Sequence, residues 1–325
     1  MRSLKTTAAT HRGSWLDRRT LLVTTVAGCV SSLFICALSF AYSSAQQIST
    51  DWKPVEQALG KSGSMQPGDV YKVSFPRSDL KVTAAGVELK PALALGTWVA
   101  FKRVGEMTVV MGDLVLTESE VSPVLSQLQQ GGVEATSLHN HVLNESPRVM
   151  YMHIHAMGEA VSIARAIHAA LALTKTPFAS SPSTASAQIG IDTKQIDQIM
   201  GQSGKVNGGV YQYSIARADE IADSAMTDGH KLVIPAAMGL AQAINFQPTG
   251  AGKAAITGDF VLLAGEVTPV MKALREHGIA VTAVHNHMLT ENPRLFFMHF
   301  WANDDALVLA RSLHAALDKV NVKRQ

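Results

Sequence analysis

Residues 112–171 recur as residues 258–317 without an insertion, so that His139 stands over His285 at a constant shift of 146 residues. Gly112/Gly258, Asp113/Asp259, Glu120/Glu266, Pro123/Pro269, His141/His287, Arg148/Arg294, His153/His299 and His168/His314 coincide in the same register. A gapless internal match of this length requires the chain to build one supersecondary unit twice. Upstream the match weakens but persists, with Val70-Tyr71 facing Val210-Tyr211 and Ser78-Asp79 facing Ala218-Asp219. Unit one is placed at residues 51–174 and unit two at residues 190–322. The intervening residues 175–189 are rich in Ser, Pro, Ala and Thr and bury too little apolar area to order themselves, which is the composition of a linker.

Within a unit the periodicities alternate. Val70–Phe75, Thr97–Phe101 and Thr108–Leu116 read as strands, the last rich in β-branched residues. Over Glu118–Gln130, Val121, Val124, Leu125 and Leu128 share one helical face. Pro123 is assigned to that helix's first turn, where a missing N–H costs nothing, and Gly131-Gly132 ends it. Val133–Val142 is expected to be a strand, followed by the turn Asn144-Glu145-Ser146-Pro147, a strand Arg148–His155 and a closing helix Glu159–Leu173. Met150, Met152 and Ile154 match Phe296, Met298 and Phe300, which marks the even face of that strand as the one against the helices. The resulting strand-helix-strand-strand-helix core predicts an α+β fold: two tandem homologous units, each an antiparallel-rich sheet with helices packed on one face.

Nine of the twelve histidines fall in these hairpins and closing helices. Residues i and i+2 of a strand point to one side, so His139 and His141 are expected to share a face, as are His285 and His287. Neutral imidazoles close together suit a transition metal such as zinc or copper. His153 and His299, across the hairpin turn, are the candidate third ligands, on a face expected to be open. The pairing register decides whether they join, because a one-residue slip moves a side chain to the other face. Two other readings stand beside the metal: imidazoles hydrogen-bonded at a sheet rim, or a small-ligand or catalytic site without metal. His155 becomes Trp301 in unit two, so unit one, with four hairpin histidines, is the better equipped for a closed metal site.

Glu120 and Glu266 open equivalent helices. Each is either a favourable charge at a helix N-terminus or a carboxylate that activates a metal-bound water. Glu145 and Glu291, in the turns, read as solvated, and Arg148 and Arg294 as their ion-pair partners. His168 and His314 read as half-buried helix histidines.

The first 45 residues have a different character. Arg2, Lys5, Arg12, Arg18 and Arg19 precede an apolar run from Leu21 to Tyr42 and the small residues Ser43-Ser44-Ala45, the pattern of an export signal. The Arg18-Arg19 pair resembles a twin-arginine signal, and Val26-Ala27-Gly28-Cys29 resembles a lipobox. Cleavage near Ala45, an uncleaved membrane anchor, or lipidation at Cys29 are the three outcomes. The chain's two cysteines, Cys29 and Cys36, lie in this segment, so a chain beginning at Gln46 has no thiol chemistry. It would hold 23 Lys+Arg against 25 Asp+Glu, without the basic stripe that nucleic acid requires. No Walker loop, dinucleotide-binding glycine fingerprint, nucleophile elbow or His-Glu-x-x-His pair occurs.

The phrase GIAVTAVHNHMLTENPRLFFMHFWANDDALVLARSLHAAL, with its partner in unit one, resembles the LppY/LpqO family, a DUF1259-like domain of unknown function found in exported bacterial proteins. The resemblance covers most of the mature chain as two copies and implies an extracytoplasmic location, whether periplasmic, secreted or membrane-anchored. It supplies no catalytic residues. The expected function is binding of a metal or small ligand through the His-Asn-His hairpins, with a metal-dependent hydrolase and a cell-envelope structural or interaction module as rivals.

Overall fold

The computed structural model describes residues 51–179, 189–224 and 232–323. The expected signal or anchor at 1–45 and most of the linker lie outside the described residues. Unit one runs α1 (Lys53–Leu59), β1 (Ser64–Gln66), β2 (Val70–Pro76), β3 (Thr83–Ala84), β4 (Val87–Glu88), α2 (Pro91–Ala94), β5 (Gly96–Val104), β6 (Met107–Thr117), α3 (Glu118–Gln130), β7 (Glu134–His139), β8 (Glu145–Ser146), β9 (Val149–Gly158) and α4 (Ala160–Leu171). Unit two repeats it as α5 (Thr193–Met200), β10 (Lys205–Asn207), β11 (Val210–Ala216), β12 (Ala222–Asp223), β13 (Leu232–Val233), β14 (Ala241–Gly250), β15 (Lys253–Leu263), α6 (Ala264–Glu276), β16 (Ala280–His285), β17 (Glu291–Asn292), β18 (Leu295–Asp305) and α7 (Ala306–Leu317), with a 3-10 turn at Ala236–Met238 in place of α2.

Each unit carries a six-stranded sheet, ordered β1-β2-β5-β6-β9-β7 and β10-β11-β14-β15-β18-β16, and a small three-stranded one. All strand pairings are antiparallel, as the alternation of short strands predicts. The helices lie on one face. Val110, Leu114, Leu116, Met152 and Ile154 meet α3 and α4 residues such as Val124, Leu128, Ala164 and Ile167 in one core. Ile256, Phe260, Leu262, Met298 and Phe300 do the same against α6 and α7. The even face of β9 is thus the helix side, as read from the sequence.

The opposite sheet faces are not open. They face each other and join the units. Val70, Ala100, Val109 and Met111 of unit one pack with Met238, Leu240, Val261, Leu295 and Phe297 of unit two. Tyr151, Val115 and Leu95 pack with Val210 and Ala255. The architecture is therefore helix, sheet, sheet, helix. Strands β6 and β15, at the centre, are buried along almost their whole length, so their sequences are nearly continuous apolar runs instead of alternating ones. Fully burying each Val, Leu or Phe in such a position contributes about 1.5–3 kcal/mol.

Three local expectations change. Helix α3 starts at Glu118, capped by the reciprocal Thr117–Glu120 box, so Pro123 sits inside the helix and not in its first turn. The strand expected over Val133–Val142 stops at His139. From there the chain leaves the large sheet, and Glu145-Ser146 pairs with Thr83-Ala84 in the small one. Glu145 and Glu291 are buried, not solvated.

Candidate metal centre

The face between the two sheets is set by strand parity. In β9, Tyr151, His153 and His155 alternate with the helix-facing Met152 and Ile154, so the three point at unit two. The register aligns Ser137 with His153 and His139 with Tyr151, after an irregularity between Ala135 and Ser137. His139 and His153 therefore share a face, two pairs apart along the ladder with Leu138/Met152 between them. In β6, Asp113 pairs with His153, and in β15, Asp259 pairs with His299. His141 and His287 lie just past the ends of β7 and β16, not within a strand. Both are held across the unit boundary, where the Thr136 hydroxyl donates to the His287 carbonyl at 2.6 Å and the Thr282 hydroxyl donates to the His141 carbonyl at 2.6 Å.

These placements pool the histidines of both units into one cluster. His139 stacks on His285 with ring centroids 3.7 Å apart, and its Nε2 lies 3.2 Å from His299 Nε2. The His153 and His287 rings are 3.7 Å apart, and those of His141 and His299 are 3.9 Å apart. All six sequence candidates, His139, His141, His153, His285, His287 and His299, are thus brought together. Two groups of three offer nitrogens within 4.8 Å of one another: His139, His285 and His299, and His153, His285 and His287. His155 stands apart, with Nε2 3.0 Å from Asp223 Oδ2, so unit one does not build a four-histidine site of its own.

The tautomers of two rings follow from their partners. His153 Nδ1 bonds the Gly112 carbonyl at 3.2 Å, and His299 Nδ1 bonds the Gly258 carbonyl at 2.6 Å. A carbonyl only accepts, so each Nδ1 carries the proton and each Nε2 presents a lone pair to the cluster. The same glycines let the neighbouring strand approach closely. A Cβ on Gly258 would lie 1.8 Å from the Ala243 carbonyl oxygen, and one on Gly112 2.7 Å from that of Trp98.

Two carboxylates complete the site. His287 Nε2 is 2.9 Å from Asp259 Oδ2, and His141 Nε2 is 3.5 Å from Asp113 Oδ2. Burial pushes the Asp113 carboxyl up to about 8, reinforced by Asp259 and opposed by Lys72. Burial pushes Asp259 up to about 6, against the pull of His299. Burial takes His287 down to about 3. His139, His141, His153 and His285 are lowered by burial and by neighbouring imidazoles, and His299 by burial against Asp259. The rings are neutral at pH 7, the state that ligates metal.

The site leaves buried polar atoms without hydrogen-bond partners: both nitrogens of His285, Nε2 of His153, and Oδ1 of Asp113 and of Asp259. Each such atom costs about 1–3 kcal/mol. Together these costs compare with the whole net stability of an ordinary domain, so a ligand that satisfies them has much to gain.

Glu120 and Glu266 are placed elsewhere. Glu120 takes two hydrogen bonds from the buried Arg77, at 2.9 and 3.2 Å, and bonds from Thr117 N and Lys175 N. Glu266 repeats this with Arg217, Leu263 N and Asn321 N. Both carboxylates are occupied in holding a helix start to its sheet. Arg294 pairs with Glu291 at 3.2 Å as expected, whereas both oxygens of Glu145 lack a partner. His168 caps the end of α1 through the Leu59 carbonyl at 2.9 Å.

The fold and the site define a class: a duplicated α+β protein whose two sheets enclose one histidine-carboxylate centre. The chain belongs to a family of domains of unknown function, DUF1259, whose model matches residues 53–173 and again residues 194–319. No curated protein matches it. Among solved structures it is similar to the trimeric bacterial microcompartment shell protein PduB, at 12% identity over 79% of this chain and 90% of that one, with a TM-score of 0.20. It is also similar to a double-ringed trimeric shell protein from the RMM microcompartment, at 14% identity over 66% and 84% with a TM-score of 0.18. A third is EtuB from Clostridium kluyveri, at 12% identity over 79% and 91%, again with a TM-score of 0.18. Superpositions this poor carry no argument about function.

Proposed function

We propose that the protein binds a divalent transition metal, zinc or copper, at the histidine cluster between its two units. The observation that carries this reading is the set of buried imidazole nitrogens whose nearest polar neighbours are other imidazoles or an aspartate. Two nitrogen ligands of one tetrahedral zinc lie roughly 3.3 Å apart, and His139 and His299 present theirs at 3.2 Å. Imidazole and carboxylate without thiolate suit zinc and divalent copper better than a soft monovalent ion. A small organic ligand at the same rings is the neighbouring reading. A metal-dependent hydrolase would need a carboxylate beside the ligands, and Asp113 and Asp259 stand there while Glu120 and Glu266 do not.

The reading extends to place. The basic start, apolar run and small residues up to Ala45 support an exported bacterial protein of the LppY/LpqO kind, cleaved, anchored or lipidated at Cys29. The protein would then meet its metal outside the cytoplasm.

The test is elemental analysis of the tag-free mature chain beside a variant with His139, His141, His285 and His287 all replaced by alanine. Bound metal in the first and none in a still-folded second is the expected result. No metal in either after loading with zinc, copper or nickel would sink the metal reading and leave a small-ligand or envelope-structural role.

A further inference from the structure

The cluster has an internal symmetry that a single ion does not use. The repeat pairs His139 with His285, His141 with His287, and His153 with His299. The distances follow those pairs. The His141–His299 centroid separation of 3.9 Å mirrors His153–His287 at 3.7 Å. The His139–His141 separation of 5.2 Å mirrors His285–His287 at 5.1 Å, and His139–His299 at 5.2 Å mirrors His153–His285 at 5.5 Å. The stacked pair His139–His285 lies on the axis.

Resting on the metal reading above, we propose that the centre is dinuclear and that each ion is held in trans. One ion is bound by His139, His141 and Asp113 of unit one with His299 of unit two. The other is bound by His285, His287 and Asp259 of unit two with His153 of unit one. Three observations lead there. The donor count is six imidazoles and two carboxylates, twice the four that a zinc site takes. A lone ion would leave the other donors buried and unpaired. The second set appears directly, since His153, His285 and His287 offer nitrogens within 4.8 Å of one another. The first set is marked by Nε2 of His139 and of His299 3.2 Å apart and by the His141 and His299 ring centroids 3.9 Å apart, while the nitrogens within 4.8 Å of one another on this side are those of His139, His299 and the axial His285. Each aspartate also stands beside the second histidine of its own His-Asn-His, at 2.9 Å in one unit and 3.5 Å in the other. Ligands of one ion stand roughly 2.9–3.4 Å apart between right-angle and tetrahedral geometry. The two carboxylates also offset part of the charge that two dications bring into a buried site, where unpaired charge is costly.

The arrangement explains why the duplication is kept within one chain. Neither unit alone supplies a complete ligand set, because the strand histidine always comes from the other. Two ions held side by side by these residues would supply Lewis-acid polarisation of an oxygen ligand, so the class of ligand expected at the loaded centre is a small oxyanion.

The experiment is a metal titration of the full mature chain, with zinc content measured after gel filtration and with electron paramagnetic resonance of the copper(II)-loaded form. Two ions per chain and a copper spectrum broadened by a near neighbour are expected. His153→Asn and His299→Asn should each keep one ion and give an isolated copper signal of about one spin per chain, and the double variant should keep none. One ion per wild-type chain with an isolated copper signal overturns the dinuclear centre and leaves the metal reading standing. No ion in the wild type overturns both. Two ions that both survive the double substitution overturn this ligand assignment. Circular dichroism checks the fold of each variant, and the wild-type stoichiometry and spectrum decide the question should a variant unfold.

Discussion

Nε2 of His139 in unit one and Nε2 of His299 in unit two lie 3.2 Å apart, across the boundary between the two sheets. Whatever binds both rings ties one unit to the other and binds only the folded chain. Metal should therefore stabilise the protein by mass action. At free zinc one hundred times its dissociation constant the gain is about 2.7 kcal/mol. Thermal melts with and without zinc should show an upward shift of several degrees, reduced by His139→Ala with His299→Ala and abolished when His139, His141, His285 and His287 are all replaced by alanine. A wild-type melting temperature indifferent to zinc, copper and nickel would contradict a metal site at these rings.

The metal-free protein should lose stability as pH falls below about 6.5. An unfolded histidine titrates at about 6.5. In the fold, His287 is depressed to about 3, and His139, His141, His153, His285 and His299 are also lowered. The unfolded state thus binds more protons between these values, and stability rises with pH across that window. Asp113, raised to about 8, and Asp259, raised to about 6, act in the opposite sense. They hold protons in the fold that the unfolded chain has released, so their contribution is full below about pH 4 and is lost as pH rises. Six groups against two decide the sign below 6.5, and above it Asp113 gives a shallow decline that Lys72, lowered to about 8 by burial, begins to offset near pH 8. Urea melts from pH 4 to 8.5 should show a maximum near 6.5; a metal-free protein equally stable at pH 4.5 would refute this balance.

The repeat and the binary pattern make most of this fold legible in the sequence. Two helix faces, the even face of β9 and the six histidines follow from spacing alone. What spacing did not reveal was where the odd face went. Strand parity puts His153 on a face of its own, but nothing local says that the face is covered by the equivalent face of the second unit. Spacing therefore suggests one site per unit, whereas the histidines form one cluster. Spacing does not single out the aspartates, for a related reason. Gly112-Asp113 and Gly258-Asp259 coincide in the repeat, yet a dipeptide is too short to mean much alone. The stronger signal was a carboxylate in the middle of an apolar strand, buried where a charge is seldom tolerated unless it has a task. The strand expected over Val133–Val142 includes His141, whereas Glu145 is drawn off to pair with Ala84.

Arg77 and Glu120 form a buried ion pair at 2.9 Å, and Arg77 also donates to the Val115 carbonyl at 2.7 Å. Removing Arg77 leaves the Glu120 carboxylate with only its backbone donors, Thr117 N and Lys175 N, and breaking a buried pair costs up to about 3–5 kcal/mol. Arg77→Met should therefore lower the melting temperature sharply. Glu120→Gln, which retains part of the hydrogen bonding, should cost less, and metal content should stay unchanged in every folded variant. Loss of metal from a folded Glu120→Gln protein would return this carboxylate to the list of site residues.

Tyr151 and Phe297 occupy equivalent places, Tyr151 stacked on His141 at 3.3 Å between centroids and Phe297 on His287 at 3.4 Å. The ring is common to both units, and the hydroxyl belongs to unit one alone. That hydroxyl is fully buried with no hydrogen-bond partner, and its ionisation is pushed well above the ordinary range by burial, with Asp113 and Glu145 adding to the effect. It cannot help the metal-free fold, and an unpaired buried hydroxyl costs about 1–3 kcal/mol. Tyr151→Phe should accordingly raise the stability of the metal-free protein by about 1 kcal/mol, the lower end of that range because the ring does not move. Differential scanning calorimetry with and without zinc separates two roles for the group. A gain that persists in the zinc-loaded protein marks the hydroxyl as a remnant of divergence between the units. A gain confined to the metal-free protein, with a loss once zinc is bound, would mean that the loaded centre supplies the partner that the hydroxyl otherwise lacks, and would place Tyr151 among the groups that hold the centre's ligand.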